Sequence, residues 1–141
     1  MSYVFEGTFV LKLDAKGRMS LPAALRDGFA AGAVLTRHPD GCLMLYPEER
    51  WGALRERLAQ LPYAARFLQR IVLGGAVRIA LDAHGRIQVP ASLRELSGVM
   101  REAILFGLGD RLELWDRQRY EAAEAQALAE ITPEEVEGFT F

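Results

Sequence analysis

Leu13 to Asp27 read LDAKGRMSLPAALRD, and Leu81 to Glu95 read LDAHGRIQVPASLRE. Leu-Asp-Ala, Gly-Arg, Pro-Ala and Leu-Arg recur at a constant offset of 68 residues, which chance does not supply. Upstream the same register pairs Gly7 with Gly75, Phe9 with Val77 and Leu11 with Ile79. Downstream, with one extra residue in the second copy, Leu43, Leu45, Tyr46 and Trp51 pair with Leu112, Leu114, Trp115 and Tyr120. The chain is a tandem duplication. Its expected divisions are a first repeat over 5–51, a helical connection over 52–73, a second repeat over 74–120, and an acidic helix and tail over 121–141.

Each copy spells the same local structure. Phe9, Leu11 and Leu13, like Val77, Ile79 and Leu81, alternate with other residues as a strand with one buried face does. Asp14 or Asp82 then opens a tight turn by accepting backbone N–H bonds, and Gly17 or Gly85 supplies its left-handed residue. A short strand follows over 18–21 or 86–89. Pro22 and Pro90 suit the first turn of a brief helix, over 23–29 or 91–97. A hairpin closes each copy, with turns at Asp40-Gly41 and Gly109-Asp110. Trp51, Leu54, Leu58 and Leu61 place one apolar face on a helix from Pro47 to Leu61, which Pro62 breaks and Tyr63 to Leu73 resumes. Gln118 to Glu130 is expected to be helical, and Thr132-Pro133-Glu134-Glu135 reads as the cap of a short terminal helix. No Ser/Gly-rich linker separates the copies, and one copy is too small to be stable alone. A single α+β unit with a shared core, paired about a pseudo-two-fold axis, is therefore expected.

The 141 residues, 50% hydrophobic and 26% charged, exclude wholesale disorder and two large domains. The lone Cys42 cannot form an intramolecular disulfide, and MSYVFEGTFVLKLD has no secretion-signal pattern, so a reducing, cytoplasmic location is expected. The net charge of −2 argues at first against a nucleic-acid partner. Partitioned along the chain, it does not. Residues 1–99 carry thirteen Lys/Arg and nine Asp/Glu, whereas residues 100–141 carry four and ten. A mildly basic body is joined to an acidic end, and local field, not total charge, sets the electrostatic footprint.

The constellation that bears chemistry is Asp14-x-x-Gly17-Arg18 with its partner Asp82-x-x-Gly85-Arg86. A turn that needs only its geometry explains Asp and Gly, with Arg pairing across it for about 0–1 kcal/mol. Arg18 and Arg86 are not strictly required by that geometry. An arginine on a two-stranded ribbon can enter the major groove of B-DNA and bond two acceptors of one guanine edge. Lys16 in the turn suits a phosphate, and the Asp carboxylate would hold the arginine in place.

The LDxxGRxxxPxxLR pattern, present twice, closely resembles the MraZ family of bacterial transcriptional regulators, within the wider group of swapped-hairpin AbrB-type (SpoVT-AbrB) DNA-binding domains. The resemblance extends to FEGTFVLKLDAKGR at the N-terminus and to the hairpin CLMLYPEERW. It implies a β-barrel of two fused swapped-hairpin halves with peripheral helices, assembled as a homo-oligomeric ring on double-stranded DNA. It also implies repression of the division and cell-wall gene cluster through repeated G-rich promoter boxes, and so association with the nucleoid. The family's key DNA-binding arginine corresponds to Arg18, with Arg86 as its second-copy counterpart. His84 stands where Lys16 stands in the first copy, and a neutral imidazole is the weaker phosphate partner near pH 7.

Rival readings have less to stand on. No HExxH, GxSxG, phosphate-loop or Cys/His metal pattern occurs, so no catalytic residue, cofactor, metal or small-molecule substrate is expected. Cys42 and His38 share a hairpin without further ligands, and Gly107-Leu108-Gly109-Asp110 precedes a hairpin turn instead of a helix. No apolar run is long enough for a membrane span. A protein-interaction or scaffold role without DNA binding remains the alternative, with Trp51, Tyr63, Phe67, Trp115 and Tyr120 as anchors. An antitoxin-type AbrB relative would more usually be a single half that dimerises.

Overall fold

A computed structural model describes residues 4–139. Residues 1–3 of the N-terminal stretch and residues 140–141 of the expected tail lie outside it. The strands are β1 (Phe5–Lys12), β2 (Arg18–Ser20), β3 (Ala33–Arg37), β4 (Leu43–Pro47), β5 (Val77–Ile79), β6 (Arg86–Gln88), β7 (Glu102–Gly109) and β8 (Leu112–Asp116). The helices are α1 (Ala23–Arg26), α2 (Glu48–Ala59), α3 (Arg66–Val72), α4 (Ala91–Ser97), α5 (Arg117–Glu130) and α6 (Pro133–Glu137). Short 3-10 turns over Asp27–Phe29 and Tyr63–Ala65 extend α1 and precede α3. Pro22 and Pro90 occupy the cap positions of α1 and α4, one residue before the expected first turn, where their missing N–H is equally harmless. Thr132 caps α6 as read, accepting from the Glu135 N–H at 3.2 Å.

Six strands form one antiparallel sheet in the order β1-β7-β8-β4-β3-β5, and β2 pairs with β6 as a separate two-stranded ribbon. Exchanging the copies turns the first order into itself read backwards. The ladders show the same two-fold relation residue by residue. In the ribbon, Met19 faces its own repeat equivalent Ile87, flanked by Arg18 opposite Gln88 and Ser20 opposite Arg86. In the sheet, Met44 faces its equivalent Glu113. The strands before and after each turn therefore do not pair with one another as a simple hairpin would. β1 pairs with β7, and β2 with β6, both in the other copy. Two copies so interlaced cannot separate into independent beads.

The sheet divides the interior in two. On one side Met19, Leu21, Leu25, Leu35 and Leu45 of the first copy meet Ile87, Val89, Leu93, Leu105 and Leu114 of the second. On the other, Val34, Met44, Tyr46, Trp51, Leu58 and Val72 join the sheet to α2 and α3. β3 and β4 are covered on both faces, so Ala33–Leu35 and Leu43–Pro47 are apolar runs instead of alternating. Each fully buried Leu, Ile or Met contributes about 1.5–3 kcal/mol relative to its exposed state. Met19 and Ile87 thus pin the ribbon to the shared core. The expected closed barrel is not formed by hydrogen bonding: among the described residues no ladder joins the edge strands β1 and β5. The architecture is mixed α+β, with an open antiparallel sheet, a ribbon and surrounding helices. Among the described residues no helix is long and apolar enough to cross a membrane.

Candidate nucleic-acid interface

The two turns have nearly the same geometry. The Asp14 carboxylate accepts from the Lys16 N–H at 3.0 Å, the Arg18 N–H at 2.9 Å and Arg18 Nε at 2.8 Å. Asp82 accepts from the His84 N–H at 2.8 Å, and from the Arg86 N–H and Nε at 2.9 Å each. Gly17 and Gly85 have φ of +80° and +74°, which a side chain disfavours. Because Asp engages each guanidinium through Nε, the Nη1 and Nη2 end has no protein partner among the described residues. That end is the one able to bond O6 and N7 of a guanine.

Burial of Met19 and Ile87, 2% and 1% exposed, turns their neighbours outward. Arg18, Ser20, Arg86 and Gln88 consequently share one face of the ribbon, with Lys16 and His84 exposed in the turns at its ends. All the expected site residues (Asp14, Lys16, Gly17, Arg18, Asp82, His84, Gly85 and Arg86) thus belong to one ribbon and its two turns.

Gln88 is not among the site residues that the sequence singles out. Its Nε2 donates to the Lys16 carbonyl at 3.1 Å, tying the first turn to the second copy's strand. Period-two alternation from Arg86 was the available signal. Arg26 and Arg94, the last letters of the repeated Leu-Arg, were also missed. Arg94 Nε donates to the Val89 carbonyl at 3.0 Å, and Arg26 Nε to the Leu21 carbonyl at 2.8 Å. Each guanidinium lies under the other copy's turn: a Cβ on Gly17 would sit 2.5 Å from Arg94 Nε, and one on Gly85 2.5 Å from Arg26 Nε. Every turn is therefore propped by an arginine of the opposite repeat.

Hydrogen bonding from the Arg18 and Arg86 backbones is the main cause that lowers the Asp14 and Asp82 carboxyls; Asp82 falls from 3.8 to about 2. Both carboxylates are ionised at neutral pH. A lowered folded value favours the ionised form, so the Asp82 turn is fully held above about pH 4 and loosens as pH falls through about 2, and the Asp14 turn loosens in the same direction on acidification. A carboxyl carbon titration by NMR is expected to place the Asp82 midpoint near 2, and its Arg86 N–H shift should follow the same curve.

The remaining candidates do not build a second site. Cys42 is 2% exposed, and its thiol lies 3.8 Å from Glu113 Oε1. Burial first, then the Glu113 charge, pushes it far above the ordinary thiol range, which makes it inert at neutral pH. Trp51, named as a possible anchor, is 2% exposed and belongs to the core between the sheet and α2. Tyr63 and Phe67, at 76% and 61%, are open to solvent, whereas Trp115 and Tyr120 pack against one another at 5.4 Å.

This doubled arrangement has counterparts in known proteins. A family model described as "MraZ protein, putative antitoxin-like" matches twice, over residues 4–71 and 72–138. The chain is 46% identical over 142 residues to proteins named "Transcriptional regulator MraZ" from Acidovorax sp. (strain JS42), Delftia acidovorans and Burkholderia cenocepacia. Each alignment covers 98% of this chain and 100% of the relative. The two model matches divide the chain between its copies, and the relatives align over nearly the whole of it: the chain belongs to the MraZ family.

Proposed function

We propose that the chain is a sequence-specific DNA-binding transcriptional repressor that reads repeated G-rich promoter boxes of the division and cell-wall gene cluster. Arg18 and Arg86 read guanines in the major groove, Lys16 and His84 approach phosphates, and the aspartates and glycines hold the turns. The observation that carries this reading is the common outward face of the ribbon, where Asp-held arginines from both copies present unengaged Nη ends. The family relatives named transcriptional regulators support it. The interlaced halves complete a barrel-like unit about the two-fold axis, and such units assemble into a ring in the cytoplasm, at the nucleoid. Assembly supplies what the small basic excess does not, because several turns on successive boxes bind through effective concentration.

A gel shift on DNA upstream of the protein's own gene, at two salt concentrations, tests this for wild type, Arg18→Ala and Arg86→Ala. Loss in both variants is expected. An Arg18→Ala protein that binds like wild type overturns the assigned readout, and undiminished binding by Arg86→Ala alone makes the second turn structural. Log affinity should fall linearly with log salt. Lys16→Ala is expected to weaken binding to every sequence alike and to reduce that slope by about 1 for each engaged turn, since it removes a phosphate contact without base information. An unchanged slope removes Lys16 from the phosphate contacts.

A further inference from the structure

The two ends of the ribbon are not equivalent. β1 stays paired with β7 as far as Lys12 opposite Glu102, and beyond it the Leu13 N–H donates to the Arg101 carbonyl at 2.7 Å. The first turn therefore grows directly out of a ladder, with Arg101 at its root. Ala103 and Leu105 are buried in the core shared with Met19 and Ile87, so period-two alternation turns Arg101 toward the ribbon side of the sheet. It is exposed there. With Arg94 and Met100 it lines a hollow of about 440 Å³ whose other wall is Leu13, Asp14 and Ala15 of the turn.

No group of the protein uses this charge. Asp14 is already held by the Arg18 side chain and by two backbone N–H groups. Among the described residues the Arg101 guanidinium has no hydrogen bond or ion pair, and neither has the Lys16 ammonium. An unengaged guanidinium at the surface can bond two oxygens of one phosphate in its own plane. The second copy has no such group. Ile79 faces Ala33 as Leu11 faces Ala103, so the counterpart of Arg101 is Ala31, also exposed. Ala30 matches Met100, and His84 replaces Lys16. Asp, Gly and the ribbon arginine thus recur at both ends, whereas the cations beside them are confined to the first. Turn geometry, common to both, does not account for that difference.

We propose that Arg101, acting with Lys16 of the same turn, forms a phosphodiester-binding site that grips the DNA backbone beside the bases approached by Arg18, and that the second turn lacks it. The ribbon holds DNA more firmly at its first end than at its second. This rests on the DNA-binding reading given above and adds a contact without base information.

Anisotropy titrations of wild type, Arg101→Ala, Arg101→Lys and Ala31→Arg, on a G-box duplex and an unrelated duplex over a range of salt, test the site. Circular dichroism checks that each protein is folded. Arg101→Ala is expected to bind both duplexes about tenfold more weakly, keeping the G-box preference and losing about 1 from the salt slope for each engaged turn. Arg101→Lys should keep the wild-type slope. Ala31→Arg should bind both duplexes more tightly and steepen the slope, because it gives the second end the missing charge. An unchanged slope in Arg101→Ala overturns the site, as does a slope in Arg101→Lys as low as that of the alanine variant. Weakening on the G-box duplex alone makes Arg101 a base reader and overturns the phosphate assignment. An Ala31→Arg protein that binds like wild type overturns the unequal grip. Inorganic phosphate at constant ionic strength should not compete; if it weakens wild type but not Arg101→Ala, the hollow takes free anions and the proposal fails. A wild type that binds neither duplex overturns the DNA-binding reading and this site together. If Arg18→Ala keeps the full G-box preference while the Arg101 slope effect stands, the base reading fails and the phosphate site survives.

Discussion

Arg18→Ala is expected to weaken binding to a two-box duplex by about a thousandfold while leaving the fold intact. One bidentate arginine–guanine pair is worth about 1–3 kcal/mol of discrimination. In the proposed assembly, with two subunits on two boxes, two such pairs would be lost, roughly 4 kcal/mol, at about 1.4 kcal/mol per tenfold. Stability changes far less. The Arg18–Asp14 ion pair is more than one-third exposed at Asp14 and screened by solvent, so its loss costs little, and Asp14 keeps its bonds from the Lys16 and Arg18 backbones. Fluorescence anisotropy measures the first effect and thermal denaturation the second. A large drop in melting temperature would move the role of Arg18 from recognition to structure.

Gly17→Ala carries the largest expected loss of stability at the interface, about 2–4 kcal/mol, or roughly 6–15 °C in melting temperature. Two causes add. The φ of +80° is strained for any side chain, and the new Cβ would sit 2.5 Å from Arg94 Nε and 2.9 Å from the Val89 carbonyl oxygen. That oxygen is backbone of the opposite copy and cannot swing aside. Gly41 provides the control, since its φ is +93° but nothing lies within 4 Å of its Cβ position. Gly41→Ala should cost only the conformational part, about 1 kcal/mol. Adding Arg94→Ala to Gly17→Ala should recover some of the packing loss, with a coupling of about 1 kcal/mol. Equal costs at Gly17 and Gly41 would show that Arg94 does not prop the turn.

What the sequence made legible was local. Asp14, Gly17 and Arg18 interact within four residues, so their spacing alone announces the turn, and its repetition at Asp82, Gly85 and Arg86 announces the duplication. The 3.6-residue stripe of Trp51, Leu54 and Leu58 likewise marks α2, because one helix face meets the sheet, although the helix ends at Ala59, short of the expected Leu61. Pairing between distant strands leaves no such mark. Nothing in LDAKGR says that β1 pairs with β7 instead of folding back on β2, nor that Arg94 lies beneath Gly17. Those facts follow from interlacing the copies, which brings residues some 70 positions apart into contact. Gln88 was readable in principle, since alternation puts it on the Arg86 face, but its bond to Lys16 depends on the ribbon register. The DNA-binding expectation came from the two arginines and the family resemblance, and the ribbon gathers the residues that carry it onto one unit.

In the proposed function Arg18 reads guanine and does not merely add positive charge. One measurement addresses it directly: anisotropy titration of wild type and Arg18→Ala, at fixed salt, on a G-box duplex and on the same duplex with its box guanines changed to adenine. Wild type should prefer the G-box duplex by at least tenfold, and Arg18→Ala should bind the two duplexes almost equally. If Arg18→Ala weakens both by the same factor and keeps the wild-type preference, Arg18 is a phosphate contact and the readout lies elsewhere.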